Sequence, residues 1–261
     1  MGKKYRNLID QILDPDNFRL AYYKASKDKK KCRGYLHFKE HAAARLAEMR
    51  EAIRNRTYRP GDPRMFWVYE PKPRPITAMP FGDRIVQHAL VNIIMPIFER
   101  GFLPQSYACR KGRGMHTGAI KTQAMMRRLE RESDEPVYAL KTDFSKYFYS
   151  ISREILWGLL EKKISCRHTI WLIERFLPRT GYGLPIGNLT SQLFANIIGN
   201  EVDKFLHHKL KIRTFVRYMD DIVVLHKSRL MLESALGFLE LFCNHRMRLF
   251  FSKWFIQPIS R

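Results

Sequence analysis

The sequence predicts a mixed α+β fold, and two observations support that class. The second half of the chain alternates between β-rich and helix-periodic segments in the order strand, helix, helix, hairpin, helix, strand. This order is typical of a sheet backed by helices. In addition, 45% of the 261 residues are hydrophobic, including 17 Phe, 12 Tyr and 4 Trp. A chain of this length and composition buries a large core and forms one large domain or two modest ones.

In the first half of the chain, two predicted helices flank a hairpin. Apolar residues repeat at helical spacing over residues 41–55. Residues 65–80 then place aromatic and β-branched side chains on either side of a Pro-rich, basic turn. Such a pattern predicts a hairpin with a charged tip. A helical and mostly buried pattern follows over residues 83–98.

The second half supplies the predicted sheet. Its periodicities switch between two and 3.6 residues, as expected when strands alternate with helices. The predicted order is a strand over residues 137–142, a helical region over 154–176, a Gly-rich loop over 181–191 leading into a long amphipathic helix, a hairpin over 215–226, a helix over 232–243 and a strand over 248–259.

The charge balance predicts a polyanionic partner. Lys and Arg number 47 against 25 Asp and Glu, so the formal net charge is 47 − 25 = +22. The aromatic content excludes a disordered polycation. A surface field of this sign favours nucleic acid over an anionic membrane face. Because the basic residues are scattered along the chain rather than stacked on one amphipathic helix, we expect no membrane partner.

The four cysteines predict a reducing, cytoplasmic environment. They stand far apart and form no CxxC pair, so the sequence supports neither a zinc site nor a thioredoxin-like redox site. The N-terminal residues lack the apolar core of a signal peptide. The most apolar stretch, residues 89–98, is shorter than the about 20 residues that a membrane-spanning helix needs. We therefore expect a cytoplasmic protein.

Two acidic sites interrupt apolar sequence in the second half. Asp220 and Asp221 lie inside the predicted hairpin, where two like charges repel each other unless a cation neutralises them. Asp143 directly follows the strand that ends at Thr142. Each site has a structural alternative, since Asp favours hairpin turns and an isolated Asp after a strand is commonly a turn or N-cap residue.

Taken together, the three carboxylates predict a metal site. Asp143 and Asp220 are 220 − 143 = 77 residues apart, yet both stand at strand ends, which one sheet edge can bring together. Three carboxylates without His or Cys form a hard oxygen donor set, which suits Mg²⁺ rather than zinc. In a chain of charge +22 we expect two-metal phosphoryl transfer on nucleic acid.

The residues around these aspartates resemble the reverse transcriptases. Tyr218-Met219-Asp220-Asp221 is similar to the YxDD box of that family. Four further blocks stand in the order that the family shows. Residues 72–87 resemble the first fingers block of bacterial retroelement enzymes, residues 106–112 the second fingers block, residues 141–148 the first catalytic motif of the palm, and residues 183–187 the loop before the palm helix.

The resemblance implies the fold of a right-hand polymerase, with fingers and a palm whose antiparallel sheet is backed by helices. It assigns residues 1–134 mainly to the fingers and residues 135–261 mainly to the palm, with a return to the fingers around residues 150–185. The family continues into a helical thumb beyond the position of Arg261. We therefore expect the thumb to be absent or truncated.

The resemblance also implies the catalytic residues. Asp143, Asp220 and Asp221 are expected to be catalytic and to bind two Mg²⁺ ions, for which Mn²⁺ is a substitute. The Phe144 carbonyl is expected to complete one coordination sphere. Lys253 is expected to protonate the leaving pyrophosphate, with an ordinary solvated lysine as the alternative.

Further residues are implied to bind the nucleotide. Lys72 and Arg74 are expected to clamp the triphosphate, and simple surface charge on a turn is the alternative. Phe148 is expected to be the steric gate against a ribose 2′-hydroxyl, although an aromatic residue at such spacing is commonly a core residue. Ile186 and Gly187 are expected to lie against the templating base and the incoming nucleotide.

The loop over residues 186–192 resembles one subgroup of the reverse transcriptases in particular. It reads IGNLTSQ, where most retroelement enzymes carry Gln-Gly at the first pair and Ser-Pro at the last. This form is similar to the reverse transcriptases of diversity-generating retroelements, which copy an RNA template with frequent errors at adenines. We therefore expect an error-prone enzyme that binds an RNA template, a DNA or RNA primer, dNTPs and a small basic accessory protein.

Two alternatives stay open at the level of sequence. The first is a group II intron-like or antiviral-defence reverse transcriptase, and the IGNLTSQ loop argues against the group II intron-like form. The second is a non-catalytic nucleic-acid-binding module of the same fold. The intact Asp143, Asp220 and Asp221 argue against that module, whereas the expected lack of a thumb favours it.

Overall fold

The computed structural model describes residues 4–69, 73–132 and 134–259. The chain divides into two compact units, each made of two segments. Unit 1 comprises Met1–Gly101 and Arg153–Leu193, and unit 2 comprises Phe102–Ser152 and Phe194–Arg261. Residues 102–134 therefore pack with unit 2, whereas the sequence-based division grouped them with the N-terminal part. Which unit corresponds to fingers and which to palm stays a prediction.

The described residues form helices and short strands. The helices are α1 (Leu8–Ile12), α2 (Pro15–Ser26), α3 (Arg33–Lys39), α4 (Ala42–Arg54), α5 (Phe81–Glu99), α6 (Met115–Glu132), α7 (Tyr147–Ser150), α8 (Arg153–Glu161), α9 (Arg167–Glu174), α10 (Leu189–Lys204) and α11 (Arg229–Phe242). The strands are β1 (Arg64–Val68), β2 (Arg74–Ala78), β3 (Tyr138–Phe144), β4 (Phe215–Tyr218), β5 (Asp221–His226) and β6 (Phe251–Pro258). Within these ranges we find no helix that combines the length and the hydropathy needed to cross a bilayer.

Unit 1 is built around α5. Ile85, Leu90 and Ile94 are fully buried on this helix, which packs against α1, α2 and α3. Asp83 in its first turn accepts a hydrogen bond from the Tyr58 hydroxyl and a second, of 2.9 Å, from the Gly61 amide. These bonds fix the chain that leads into the hairpin of β1 and β2. The hairpin is antiparallel, as predicted from its aromatic and β-branched runs.

The helical region predicted over residues 154–176 is two helices, α8 and α9, rather than one. Between them, Tyr5 forms an isolated parallel bridge with Ile164. The Tyr5 amide donates to the Lys163 carbonyl at 2.8 Å, and the Ser165 amide donates to the Tyr5 carbonyl at 3.0 Å. The helix ends here because these backbone groups pair with the N-terminal segment, and helical periodicity carries no information about such a distant partner.

Unit 2 contains a four-stranded antiparallel sheet in the order β4-β5-β3-β6. Successive side chains of a strand point to opposite faces. Leu140 and Thr142 of β3 and Ile222 of β5 lie on one face and are buried. The other face carries Lys141 and Asp143, which are partly exposed. The alternation therefore directs the acidic side chains of the strand ends away from the buried face.

Two helices complete the packing of this sheet. α11 packs against β3, β5 and β6, with Leu232 and Leu239 fully buried. α6 packs against β4 and β5, and its Leu129 joins Val137 and Leu225 in a buried cluster. The α+β class and the predicted order of elements in this half of the chain are thus confirmed.

Candidate active site

The ends of β3 and β5 bring two of the predicted aspartates together. The antiparallel register pairs Thr142 with Ile222. Asp143 follows Thr142 on β3 and Asp221 precedes Ile222 on β5, so both aspartates lie at the same end of the sheet. Carboxylates that share one end of a sheet repel each other, and a cation between them relieves the repulsion.

A β-bulge orients the first of these carboxylates. The pairing of β3 with β6 shifts between Asp143, which pairs with Lys253, and Phe144, which pairs with Phe251. The extra residue in β6, Ser252, donates its hydroxyl to Asp143 Oδ2 at 3.0 Å and to the Asp143 carbonyl at 3.1 Å. Bulges are common beside active sites because they redirect a side chain. Ser252 thus fixes where the Asp143 carboxylate points.

The third aspartate lies in the turn between β4 and β5. Tyr218 pairs with Asp221, so Met219 and Asp220 form a two-residue hairpin loop. Met219 has a positive φ of 56°, at a loop position where glycine is usual. A non-glycine residue in this region costs about 1–3 kcal/mol and persists only where its surroundings hold it. The turn that carries Asp220 is therefore strained.

A buried arginine on β4 holds this turn. The Arg217 side chain has no exposed surface and forms a two-pronged ion pair with Asp203 of α10, at 2.7 and 2.8 Å. It also donates to the Met219 carbonyl at 3.0 Å, to Asn196 Oδ1 at 3.2 Å and to Ser106 Oγ at 3.0 Å. Burial alone lowers the pKa of a guanidinium, but the Asp203 carboxylate raises the pKa of Arg217 above its ordinary value. The arginine therefore stays charged.

A helical glycine makes room for the guanidinium. A Cβ atom on Gly199 of α10 would lie 2.5 Å from both Cζ and Nη1 of Arg217. Because five hydrogen bonds hold the guanidinium in place, it cannot swing aside as an exposed side chain would. Glycine is unfavourable in a helix interior by about 1 kcal/mol relative to alanine. At this position the helix accepts that cost so that Arg217 fits.

The remaining predicted residues of unit 2 surround the strand ends. Phe144 is buried at the end of β3 and stacks on Phe251 with ring centroids 4.6 Å apart. Phe148 is half-buried on α7, in edge-to-face contact with Tyr147 at 6.0 Å. Lys253 is exposed on β6. These positions are compatible with the predicted metal ligand, steric gate and proton donor, and those three roles stay predictions.

The predicted nucleotide-binding residues outside this group belong to unit 1. Arg74 is exposed at the start of β2, while Lys72 lies outside the described residues. The Ile186 carbonyl accepts a hydrogen bond of 2.7 Å from the Thr77 amide of β2. Gly187 has φ +107°, and a Cβ atom there would lie 2.8 Å from the Thr77 carbonyl oxygen. Glycine is therefore required where this loop crosses the hairpin.

The donor chemistry of the three aspartates, though not the arrangement of their side chains, suits a divalent metal ion of the Mg²⁺ type. These aspartates share the turn end of β3 and β5 and offer only oxygen ligands, which Mg²⁺ prefers. Lys141 contacts Asp221 at 3.7 Å, but both side chains are about half exposed, so this pair is worth about 0–1 kcal/mol. As the side chains stand, residues 4–69, 73–132 and 134–259 contain no group of three His, Cys, Asp or Glu arranged around a metal position.

Sequence reasoning missed the residues that support the aspartates. Ser252, Asp203 and Gly199 act through contacts with residues more than ten positions away, and their own sequence context is unremarkable. Arg217 alone carried a signal, because it is a charged residue inside an apolar strand beside the Asp pair. A buried charge requires a partner, which the sequence does not identify.

We predict that Gly199→Ala destabilises the protein. The added methyl group overlaps the pinned guanidinium, so the free energy of unfolding should fall by about 1–3 kcal/mol, as for other overpacked cores. Gly237→Ala in α11 is the matched control, since its Cβ atom would meet no atom within 4 Å. The control should gain up to about 1 kcal/mol from helix propensity. Urea unfolding measures both, and equal stability of the two variants would contradict the prediction.

The sequence of this chain is similar to those of known proteins. The sequence profile of the reverse transcriptase (RNA-dependent DNA polymerase) family matches residues 67–253, a range that holds all three aspartates. The group II intron-encoded protein LtrA of Lactococcus lactis is 28% identical over 222 residues, which cover 77% of this chain and 35% of that protein. Protein YkfC of Escherichia coli is 28% identical over 182 residues, or 64% of this chain and 46% of that protein.

A solved structure supports the fold. Telomerase from Candida albicans, in a complex with a fragment of telomeric RNA, matches with a TM-score of 0.58 at 10% sequence identity. The match covers 80% of this chain and 44% of that chain. This chain thus spans less than half the length of the relatives it matches. Because the family profile matches most of the sequence, the chain belongs to the reverse transcriptase family.

Proposed function

We propose that this protein is an RNA-directed DNA polymerase that extends a primer by two-metal phosphoryl transfer. The observation that carries the proposal is the meeting of Asp143 and Asp221 at one end of the sheet, beside the turn that holds Asp220. The family profile across these residues supports RNA as the template and dNTPs as substrates. Because the chain matches only part of its relatives, the activity of the whole protein is also part of this proposal.

The residues of the site have distinct tasks in the proposed reaction. Asp143, Asp220 and Asp221 would hold the metal ions, with the Phe144 carbonyl as a further ligand. When held by these residues, Mg²⁺ would supply a lowered pKa of the primer hydroxyl and positive charge beside the triphosphate and the leaving pyrophosphate. Lys253 pairs with Asp143 across β3 and β6 and would donate a proton near the same end of the sheet.

The nucleotide contacts form the second part of the proposal. Lys72 and Arg74 would bind the triphosphate, since cations stabilise a transferring phosphoryl group. Phe148 is half-buried and would exclude a ribose 2′-hydroxyl, which would select dNTPs. Gly187, whose backbone approaches β2 closely, would keep the adjoining loop in place beside the nucleotide.

Primer extension on an RNA template tests the activity. We expect the parent protein to extend a DNA primer with dNTPs and Mg²⁺, and EDTA to stop the reaction. Asp220→Asn should lower the rate on the order of 10²–10³-fold or more, because a charged group at the reacting atoms is lost. Asp134→Asn, an exposed aspartate of unit 2, is the control and should keep the parental rate.

The opposite result would favour the alternative function. A parent protein that binds RNA and primer without Mg²⁺-dependent extension would be a non-catalytic nucleic-acid-binding module. Extension that survives the Asp220→Asn substitution would remove the three-carboxylate site from the mechanism.

We further propose that the protein is the error-prone enzyme of a diversity-generating retroelement, working with a small basic accessory protein. The IGNLTSQ loop supports this subtype, since Ile186 replaces an amide side chain with an apolar one. Loss of one hydrogen bond is worth about 0.5–1.5 kcal/mol, a factor of roughly 2–13 in discrimination. The alternative is a group II intron-like enzyme. The observation behind it is the 28% identity to the group II intron-encoded protein LtrA.

Misincorporation opposite adenine tests the role of Ile186. We expect Ile186→Gln to lower misincorporation opposite template adenines by roughly 2–13-fold, because the amide restores one hydrogen bond. Ile186→Leu is the matched control and should keep the parental error rate, since it stays apolar. Sequencing of the cDNA gives both rates. An unchanged error rate in Ile186→Gln would show that this side chain does not set fidelity.

A further inference from the structure

A basic groove lies in unit 2, apart from the carboxylates. It has a volume of about 860 Å³ and is lined by α6, by the loop before it and by the chain that enters β4. Its lining includes five cationic side chains and no acidic one; the five are Lys111, Arg113, Lys121, Arg128 and Arg213. We call this cavity the α6 groove. A concave surface of one charge concentrates ligands of the opposite charge.

Two of these cations are engaged within the protein, and three are not. Arg128 pairs with Glu132 at 3.0 Å, and Arg113 donates to the Pro104 carbonyl and lies over the Tyr107 ring at 5.4 Å. Lys111, Lys121 and Arg213 are exposed, and the part of the chain that the structure describes offers them no carboxylate partner. Three unneutralised cations in one groove indicate a ligand with several negative charges.

The groove lies on the strand that leads to the catalytic turn. Phe215 lines the groove at the start of β4, and Asp220 follows five residues later in the turn. At about 3.3 Å per residue, the three steps of β4 from Phe215 to Tyr218 cover about 10 Å, and the two-residue turn follows. A chain of phosphates bound in the groove is therefore separate from the reacting atoms but close enough to belong to the same nucleic acid.

We propose that the α6 groove binds the phosphate backbone of the RNA strand that the enzyme copies. The identity of that strand rests on the proposed function, whereas the binding of a polyanion rests on the groove alone. RNA is favoured over an acidic polypeptide because regularly spaced phosphates match several separate cations, and because the net charge of +22 extends the attraction beyond the groove. The contacts position the strand and carry no sequence preference.

Fluorescence anisotropy with a labelled single-stranded RNA of about 20 nucleotides tests this site. The titrations contain EDTA and no dNTP, so binding is measured without polymerisation. The test variant is Lys111→Gln/Lys121→Gln/Arg213→Gln. The control variant, Arg127→Gln/Lys209→Gln/Arg246→Gln, removes the same charge from exposed residues of unit 2 outside the groove lining.

The salt dependence separates the two variants. Each lost phosphate contact on a single strand lowers the slope of log affinity against log salt by about 0.7, so the test variant should lose about 2 units of slope. We expect its affinity at low salt to fall at least about tenfold, and the control to stay near the parent. Equal slopes in both variants would overturn the proposal while leaving the polymerase proposal untouched. Polyglutamate that displaces the RNA as effectively as poly(U) would overturn the choice of RNA.

The buried Arg217 supports a second inference, from a different observation. Its guanidinium links Asp203 on α10 to the Met219 carbonyl in the strained turn. Burial lowers the pKa of Arg217, whereas Asp203, Tyr147 and then Asp220 raise it, so the Arg217 and Asp220 side chains interact electrostatically. We infer that Arg217 is a positioning residue that sets the place of the Asp220 carboxylate. Polymerisation is its readout, so this inference rests on the proposed function.

Replacing the buried ion pair with apolar residues distinguishes an effect on the position of Asp220 from an effect on the stability of the protein. Buried ion pairs can be exchanged for apolar residues of similar volume with little loss of stability. We expect Asp203→Leu/Arg217→Met to fold with a melting temperature near that of the parent, while kcat falls at least about tenfold and KM for dNTP changes little. A stable double variant with parental kcat would overturn the inference.

A single substitution covers the case in which the double variant does not fold. Arg217→Lys keeps the charge but loses the two-pronged geometry of the guanidinium. We expect it to fold and to retain kcat between the parental value and that of Arg217→Gln. Equal kcat in Arg217→Lys and the parent would overturn the positioning role, because the turn would then not depend on the two-pronged geometry of the guanidinium.

Discussion

The buried ion pair of Arg217 and Asp203 is the interaction on which the candidate active site depends. Neither side chain has exposed surface. Both charges are tolerated only because they form an ion pair with each other and because the remaining N–H groups of the guanidinium donate hydrogen bonds. Asn196 and Ser106 supply two of those hydrogen bonds, and the Met219 carbonyl supplies the third. One guanidinium thus connects the loop of Ser106, α10 and the turn that carries Asp220.

The two faces of the unit 2 sheet differ in character: one is buried and apolar, and the other carries the aspartates of the candidate site. Leu140 and Ile222 are fully buried on one face, and the alternation of the strands places Asp143 and Asp221 on the other. A shift of one residue in register would exchange these faces. The bulge at Ser252 adjusts the direction of one carboxylate without disturbing the apolar face. The fold therefore exposes acidic groups at the end of a strand whose other side is core.

Local pattern predicted the two hairpins and the strands of unit 2, but it did not predict α1, α2, α3 or α6. The hairpins and the order of elements from β3 to β6 follow from periodicity and turn composition, which act within a few residues. The break between α8 and α9 was missed because Tyr5 pairs with Ile164 from the far end of the chain. Gly199 was missed for the same kind of reason, since only the position of Arg217 makes a glycine necessary there.

The sequence by itself determined the three aspartates, the two hairpins and the net charge of +22, because residue identity and local periodicity are sufficient for these. Only the tertiary structure decided that Asp143 and Asp221 meet, that Ser252 orients one of them and that unpaired cations collect in the α6 groove. These features depend on the register between strands and on contacts between distant segments. Such contacts arise when the chain packs, and no local pattern encodes them.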